Sequence, residues 1–183
     1  MAMRLIVTLC AIFISSSLLS LKAETSSSKT FEIAPLASFY NGDALRTTTL
    51  GVATVNWHIN REFWLGVDFY AGRMAVDRTN GLGLQPDNKM YILDGAFYWN
   101  VPATLGVDIP ADFYTSIGVG YLWLGKAARE WTGFIGGGLN IHLPIEWMWV
   151  HFDLKNYFYV LKNTQGSDFN SDMALSLGPS FVF

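Results

Sequence analysis

The chain has 183 residues, of which 51% are hydrophobic, 15% aromatic and only 15% charged, a composition that suits one domain with a large buried or lipid-facing surface. Its 12 lysines and arginines against 15 aspartates and glutamates give a formal net charge of −3. Because no basic excess is available to neutralise phosphates, nucleic acid is not expected as a partner.

The first 23 residues differ in character from the rest of the chain. Arg4 supplies a positive charge, residues 5–19 form a mostly apolar run, and the letters "SLKA" follow. This order predicts a secretory signal peptide that is cut after Ala23, with an uncleaved membrane anchor as the alternative, since Leu21 is large for a cleavage site. Residues 24–30, which are polar, would then be a short periplasmic segment.

Cys10 is the only cysteine of the chain and lies inside the predicted signal peptide. Leu9 precedes it, where a lipoprotein cleavage site needs a small residue, so a lipid anchor is not expected. The mature chain would contain no cysteine, which excludes disulfides and thiolate-bound metals. We expect no cofactor and no metal.

From residue 31 onward, short alternating runs recur between Asn, Gly, Asp and Pro, and no helical period is sustained. Eight strands are predicted, at 31–40, 47–58, 63–76, 89–101, 112–124, 131–143, 147–160 and 171–183. The connections 59–62, 102–111 and 144–146 are predicted to be periplasmic turns, and 41–46, 77–88, 125–130 and 161–170 external loops. Because 102–111 is long for such a turn, either the fourth strand extends further or the register shifts there.

The seventh predicted strand, "WMWVHFDLKNYFYV" at 147–160, shows two different faces. Met148, Val150, Phe152, Leu154, Phe158 and Val160 share one face with Asn156, and Trp149, His151, Asp153, Lys155, Tyr157 and Tyr159 form the other. Since side chains alternate across a strand, one face meets lipid and the other a polar interior. The third, fifth and sixth strands alternate in the same way. The sequence therefore predicts an all-β fold, an eight-stranded antiparallel up-and-down transmembrane β-barrel over residues 31–183.

A barrel of about eight strands has an interior that side chains fill. The candidates for polar groups in this lumen are Asp68, Asp94, His142, His151, Asp153 and Lys155. Charges in such a lumen are expected to pair with one another, which predicts a closed polar plug. A narrow channel for protons or ions is the alternative.

The seven tryptophans fall near the ends of predicted strands. Aromatic rings at these positions form girdles at the two interfaces of a membrane. Trp57, Trp64, Trp99, Trp123, Trp131, Trp147 and Trp149 are therefore predicted to lie in such girdles.

The chain ends in "SLGPSFVF", with Gly178, Phe181 and the terminal Phe183. An apolar chain end is unfavourable in water but suits a strand in lipid. This stretch resembles the C-terminal assembly signal of bacterial outer-membrane β-barrels. The resemblance implies that the barrel-assembly machinery binds this strand, which then pairs with the first strand so that no edge stays unpaired in lipid.

Four stretches carry a wider resemblance: residues 34–72, "DFYTSIGVGYL" at 112–122, residues 136–160 and "LSLGPSFVF". In strand and turn texture they resemble the small outer membrane β-barrel domain family common in myxobacteria and predatory bacteria. The resemblance implies the outer membrane of a Gram-negative cell as the location, with outer-membrane lipid and lipopolysaccharide as partners, and it implies no catalytic motif.

The expected function is a structural or surface-interaction role without enzymatic activity. The polar loops 77–88 and 161–170 suit exposure, either as interaction sites or as solvated connections. The alternative is an enzyme that modifies lipid A, which needs a base within hydrogen-bond reach of its nucleophile. Of the three histidines, His58 and His142 lie near predicted periplasmic turns, and His151 is expected to be a hydrogen-bonded residue of the lumen.

Overall fold

The computed structural model describes residues 30–42, 45–76, 89–105, 109–125, 128–163 and 166–183. The strands are β1 (Phe31–Asn41), β2 (Leu45–Arg46), β3 (Thr48–His58), β4 (Phe63–Arg73), β5 (Ala75–Val76), β6 (Lys89–Leu105), β7 (Ile109–Leu124), β8 (Ala128–His142), β9 (Met148–Asn163) and β10 (Gly166–Val182). No helix in this part of the chain is long and apolar enough to cross a membrane. The predicted signal peptide and the predicted external loop 77–88 lie outside the described residues.

Eight strands form a closed barrel in the order β1, β10, β9, β8, β7, β6, β4, β3. Every neighbouring pair is antiparallel, and β1 pairs with β10 to close the circle. Strands β2 and β5 form a separate two-stranded sheet in which Leu45 pairs with Val76. The prediction of an eight-stranded antiparallel up-and-down barrel is confirmed.

The predicted turn at 102–111 is wrong for most of its length. Strand β6 continues to Leu105 and β7 begins at Ile109, and these two residues pair. The fourth predicted strand therefore extends further, which is the first of the two alternatives above. Pro102 and Pro110 lie within this pairing, because a proline is tolerated near a strand end where no ladder N–H is needed.

Three of the four predicted external loops are also shorter than expected. Strand β8 already begins at Ala128, and β9 and β10 continue until Asn163 pairs with Gly166. In the first loop, Leu45–Arg46 form β2. Antiparallel pairing with a neighbouring strand outweighs the low strand propensity of these polar and Gly-rich segments, because strand propensity depends strongly on context.

The two faces of the strands agree with the predicted alternation. On β9, Phe152 and Leu154 are 39% and 41% exposed, whereas His151 and Asp153 are buried. The same alternation holds on β4, where Val67 is exposed between buried inward-facing neighbours. The outer surface of the barrel is therefore apolar, and the core of the molecule is the filled barrel interior.

The barrel has two distinct ends. The terminal end carries Thr30, Phe183 and the turns 59–62 and 143–147, and the loop end carries the connections from β1 to β3 and from β9 to β10. At the terminal end, Thr30 N donates to Phe183 O at 2.8 Å and Phe183 N donates to Phe31 O at 2.8 Å. The last residue is thus held by the start of β1.

The seam between β1 and β10 is interrupted. Ile33 pairs with Phe181 and Ala37 pairs with Leu177, without regular pairs between them. This register carries Pro35 opposite Pro179. Because proline has no N–H to donate, these two residues cannot make the backbone bonds of a ladder.

Candidate functional site in the barrel interior

The structure places five of the six predicted lumenal residues deep inside the barrel. Their side chains are almost fully buried: Asp68, Asp94, His151, Asp153 and Lys155. The sixth, His142, lies at the terminal end of β8, and its side chain is 27% exposed. The interior has four regions along the barrel axis, taken here from the middle outward.

Lys155 is the centre of the middle region. Its Nζ binds the Asp68 carboxylate and lies 3.6 Å from Asp94 Oδ2 and 3.9 Å from Asp153 Oδ2. The same ammonium lies 4.5 Å from the centre of the Phe134 ring, within range of a cation–π contact. One buried cation therefore joins three carboxylates from three strands.

Hydroxyl groups provide most of the remaining hydrogen bonds of these carboxylates. Tyr98 OH donates to Asp68 Oδ2 at 3.1 Å, Thr54 Oγ1 donates to Asp68 Oδ1 at 2.5 Å, and Tyr157 OH donates to Asp94 Oδ2 at 2.5 Å. A buried carboxylate is costly unless such donors replace its water. The tyrosines are thus part of the polar network and also fill space.

Glu32 organises a second polar cluster toward the terminal end. Its Oε1 lies 3.2 Å from His151 Nδ1 and accepts a hydrogen bond from Ser180 Oγ at 2.5 Å. Its Oε2 accepts a hydrogen bond from Asn56 Nδ2 at 3.1 Å and lies 3.3 Å from His58 Nε2. One carboxylate therefore connects side chains from β1, β3, β9 and β10.

Tyr114 joins the two clusters. Its hydroxyl lies 3.0 Å from His151 Nε2 and 3.0 Å from Asp153 Oδ1. The polar network therefore runs without a break from Glu32 to Lys155. Such connected networks fix side-chain positions when every member is satisfied.

Four rings form a stack across the terminal end of the lumen, which we call the ring stack. The Trp64 ring stacks on His58 at 4.3 Å, His58 lies 6.1 Å from Trp149, and Trp149 stacks on His142 at 4.3 Å. His142 Nε2 lies 2.8 Å from Asp112 Oδ2. The stack covers the Glu32 cluster from the terminal side.

The ring stack corrects the predicted aromatic girdles. Trp64 and Trp149 lie inside the barrel, because they occupy inward-facing positions of β4 and β9. The other five tryptophans face outward: Trp57, Trp99, Trp123, Trp131 and Trp147. Six of the seven tryptophans lie within three residues of a strand end, whereas Trp99 lies six residues before the end of β6. The face of the strand decides which of the seven meet lipid.

The loop end of the lumen is apolar, which the sequence interpretation of a polar interior did not predict. Inward side chains that are at most 2% exposed form this region, the apolar plug: Leu50, Met74, Met90, Ile92, Leu122, Leu124 and Leu161. Below them, Tyr40 OH donates to Asp172 Oδ2 at 2.7 Å, and Tyr159 OH donates to the same oxygen. The plug covers the polar network from the loop side.

Inward-facing glycines leave room for these large side chains. A Cβ at Gly120 would overlap the Asp94 carboxylate and lie 2.8 Å from Thr132 Oγ1. A Cβ at Gly118 would overlap the Gly95 carbonyl oxygen and the Phe134 ring. The glycines of β7 therefore set how closely the interior can pack.

The residues of the polar interior that the sequence prediction missed include Glu32, Tyr114 and Asp172. A usable signal existed for each of them, because each lies on the inward-facing side of its strand. Glu32, for example, stands between Phe31 and Ile33, which are 50% and 47% exposed. Applying the alternation test to all eight strands would have found them.

The chemistry of the site is that of a connected polar network, in which Asp94 Oδ1 and Asn56 Oδ1 have no hydrogen-bond partner among the described residues. Both ring nitrogens of His151 have partners, and Ser180 donates to Glu32 and not to a histidine. Within the described residues, none of the three histidines contacts a serine or threonine hydroxyl. In that same part of the chain, no group of three or more His, Cys, Asp or Glu side chains is arranged to hold a metal ion.

Comparison with solved structures supports the fold. The crystal structure of Neisserial surface protein A superposes with a TM-score of 0.59 at 11% identity, covering 84% of this chain and 97% of that one. The chain has the fold of a small outer-membrane β-barrel. The N-terminal β-barrel domain of Pseudomonas aeruginosa OprF (TM-score 0.48, 14% identity, 86% and 100% covered) and outer membrane protein AlkL (0.47, 14%, 90% and 95%) are also similar.

No protein-family model matches the chain, and no curated protein matches it in sequence. The resemblance to the myxobacterial and predatory-bacterial family therefore stays a prediction. The fold alone does not define a function.

Proposed function

We propose that the chain is an integral protein of the Gram-negative outer membrane, with a sealed lumen and a structural or surface-interaction role. The apolar outer face of a closed barrel supports a membrane location, because a closed barrel leaves no strand edge unpaired in lipid. The fold supports the outer membrane in particular. The proposed orientation places the terminal end of the barrel in the periplasm and the loop end at the cell exterior.

The observation that carries the proposal is the filling of the lumen along its whole length. The ring stack, the Glu32 cluster, the Lys155 cluster and the apolar plug follow one another, and each places large side chains across the interior. An ion would have to pass two dehydrated layers, one of stacked rings and one of aliphatic side chains. The proposed barrel is therefore no channel.

Planar-bilayer recording of the refolded protein tests the sealed lumen. We expect no large and stable current, whereas a porin of 16 strands reconstituted in the same way should conduct, because its barrel leaves an aqueous pore. A persistent porin-like current from this protein would contradict the proposal. Separate fractionation of cell membranes, with detection of the protein in the outer-membrane fraction, tests the location.

We further propose that the protein is not an enzyme. The occupied ring nitrogens of His151 and the position of Ser180 support this, since an acyl-transfer site needs its base beside its nucleophile. Lipopolysaccharide incubated with the folded protein should release no fatty acid. Release that is lost in His151→Ala would favour the lipid A-modifying alternative.

Biogenesis is the proposed role of the C-terminal residues. Phe181 and Phe183 face outward, and Phe183 is 67% exposed at the point where β1 and β10 meet. Gly178 and these two aromatic residues would be the features that the barrel-assembly machinery binds. The backbone bonds between Phe183 and Phe31 support a coupling between that recognition and closure of the barrel.

The family resemblance supports a further proposal, which concerns the evolutionary relationship of the chain. The strand and turn texture of residues 34–72 and 136–160 supports a relationship to the small outer membrane β-barrel domains of myxobacteria and predatory bacteria. It suggests no ligand or substrate. Sequencing of close homologues from such organisms, and a test of whether the inward polar residues recur among them, would decide it.

A further inference from the structure

Three basic side chains lie on the outward face of adjacent strands at the loop end. Arg73 on β4 is directly opposite Lys89 on β6, and Arg129 on β8 is opposite Trp123 on β7. All three basic residues are exposed, and each occupies an outward-facing position of its strand. They form one patch across four neighbouring strands, which we call the basic patch.

A row of outward-facing aromatic rings, the aromatic row, borders the basic patch: Trp123 is opposite Arg129, and Tyr121 and Trp131 lie two residues further from the loop end. Tyr121 packs edge-on against Trp123 at 4.6 Å and against Trp131 at 5.1 Å, and Trp131 is 73% exposed. On β6, Lys89 lies two residues from Tyr91 in the direction of the loop end. On β8, Arg129 lies two residues from Trp131 in the same direction. Two residues of a strand span about 6.6 Å.

This order of residues fixes the depth of the patch. Tryptophan and tyrosine rings at a barrel surface mark the boundary between the acyl chains and the headgroups. Lys89 and Arg129 each lie two residues beyond a ring of their own strand, and Arg73 is opposite Lys89, so the patch lies at the level of the lipid headgroups. On the proposed orientation, these are the headgroups of the outer leaflet.

Within the described residues, no carboxylate forms an ion pair with Arg73, Lys89 or Arg129. Among the described residues of the terminal end, the exposed charges of the turns are Arg61, Glu62 and Glu146, which include no comparable basic excess. Among the described residues, this group of exposed basic side chains therefore lies at the loop end, on the side formed by β4, β6, β7 and β8.

We propose that the basic patch binds the phosphate groups of a phosphorylated glycolipid of the outer leaflet, lipopolysaccharide. Guanidinium and ammonium groups bind phosphate through charge-assisted hydrogen bonds, and the aromatic row packs against the sugar and upper acyl region. Lys89 and Arg129 are separated by β7, about two strand spacings or 10 Å. A headgroup with more than one phosphate can contact both at once.

This inference rests on the proposed outer-membrane orientation, and its test uses the folded full chain in detergent micelles with fluorescent lipopolysaccharide. The variant Arg73→Gln/Lys89→Gln/Arg129→Gln should bind at least tenfold more weakly than the wild type. Arg61→Gln, which removes an exposed charge at the terminal end, should bind within twofold of the wild type. Retention of the heat-dependent gel mobility shift shows that each variant is folded.

Two further binding measurements identify the ligand. Dephosphorylated lipopolysaccharide should bind the wild type no better than intact lipopolysaccharide binds the triple variant. Inorganic pyrophosphate should not displace lipopolysaccharide at equal concentration, and displacement would show that the patch binds free anions and overturn the proposal. Equal affinity of the wild type and the triple variant would also overturn it.

The assay separates this inference from the proposed function. Purified protein in detergent reports on the basic patch whichever membrane holds the protein in the cell, and fractionation reports on the location alone. Loss of binding in the triple variant therefore supports the patch independently of the location.

Discussion

Lys155 on β9 binds the carboxylate of Asp68 on β4, and these two strands stand opposite each other in the circle of eight. The ion pair therefore crosses the full width of the barrel. Neither side chain can reach the other until the sheet has closed. The pair thus reports on the closed barrel and not on any local hairpin.

Replacement of Lys155 by methionine should destabilise the protein strongly. The variant keeps an apolar chain of similar length but leaves Asp68, Asp94 and Asp153 without their shared cation. Removal of one partner from a buried pair costs about 3 to 5 kcal/mol. Denaturant unfolding in lipid vesicles, compared with the wild type at the same pH, measures this loss.

The matched control is Lys155→Met/Asp68→Asn, which removes one uncompensated charge and should recover part of the lost stability. The single variant should also gain free energy of unfolding as the pH is lowered through the acidic range, because protonation removes the charge of the unpaired carboxylates. A Lys155→Met protein as stable as the wild type at neutral pH would show that the network adds nothing to stability.

Leu154→Arg tests the outward face of β9. Leu154 is 41% exposed in the middle of the strand, and arginine on the lipid face near the bilayer midplane costs about 2 to 4 kcal/mol. Ile145→Arg is the control, since Ile145 is 45% exposed but lies in a turn of the terminal end. Equal unfolding free energies for the two variants in vesicles would place Leu154 outside the lipid.

Gly118→Ala and Gly133→Ala form a matched pair on neighbouring strands. A Cβ at Gly118 would overlap the Gly95 carbonyl oxygen and the Phe134 ring, whereas a Cβ at Gly133 meets nothing within 4 Å. Overpacking of this kind costs about 1 to 3 kcal/mol, so only Gly118→Ala should lower the unfolding midpoint. The opposite order would mean that Gly118 faces open space.

Deletion of Phe183 should reduce the amount of folded, heat-modifiable protein in the outer-membrane fraction of cells. The deletion removes the exposed ring and the backbone bonds of Phe183 to Thr30 and Phe31. Much of the fold should remain accessible in detergent, because the other strand pairs are unchanged. Unheated and boiled samples on gels, prepared from equal amounts of cells, give the measurement.

Phe183→Leu separates the contribution of the aromatic ring from that of the backbone, because it keeps all three backbone hydrogen bonds of residue 183 and an apolar side chain. If the aromatic ring is what the assembly machinery binds, this variant should be as impaired as the deletion in cells and as stable as the wild type in detergent. A deletion variant that reaches the outer membrane at the wild-type level would show that the terminal aromatic residue has another role.

The sequence was sufficient for the fold because the deciding signal is local. Alternation on β9 separates Leu154 from Lys155 without any knowledge of the neighbouring strands, and the polar breaks between runs define the number of strands. Strand ends were less predictable. Pro102 lies within a pairing that only the partner residues of β7 stabilise, and such a contribution from a neighbouring strand is not visible in the run itself.

The candidate site could be predicted only as a set of inward residues. Asp68 and Lys155 were both assigned to the lumen, but their contact depends on the register of the strands between them. The apolar plug was missed for a different reason. Its members alternate correctly, and an expectation of a uniformly polar interior masked them. Prediction of the ring stack likewise requires the strand face on which Trp64 lies, because its distance from a turn does not show whether the ring points inward.

Gly178 lies beside the two prolines of the seam between β1 and β10, Pro35 and Pro179, and has a structural role in the closure of the barrel. Phe31 and Phe183 exchange backbone hydrogen bonds. In an antiparallel ladder every second residue pair exchanges such bonds, so the pair Pro35–Pro179 would be expected to do the same. Both N–H donors are missing there, because both residues are prolines. A Cβ at Gly178 would lie 2.5 Å from Pro35 O and 3.0 Å from the Leu36 Cα. Only a glycine lets the two strands approach this closely, because a Cβ at residue 178 would overlap the Pro35 carbonyl oxygen. Gly178 is therefore both part of the proposed assembly signal and a steric requirement for the closure of the barrel between β1 and β10. We expect this geometry to limit natural variation at residue 178 even in cells with a different assembly receptor.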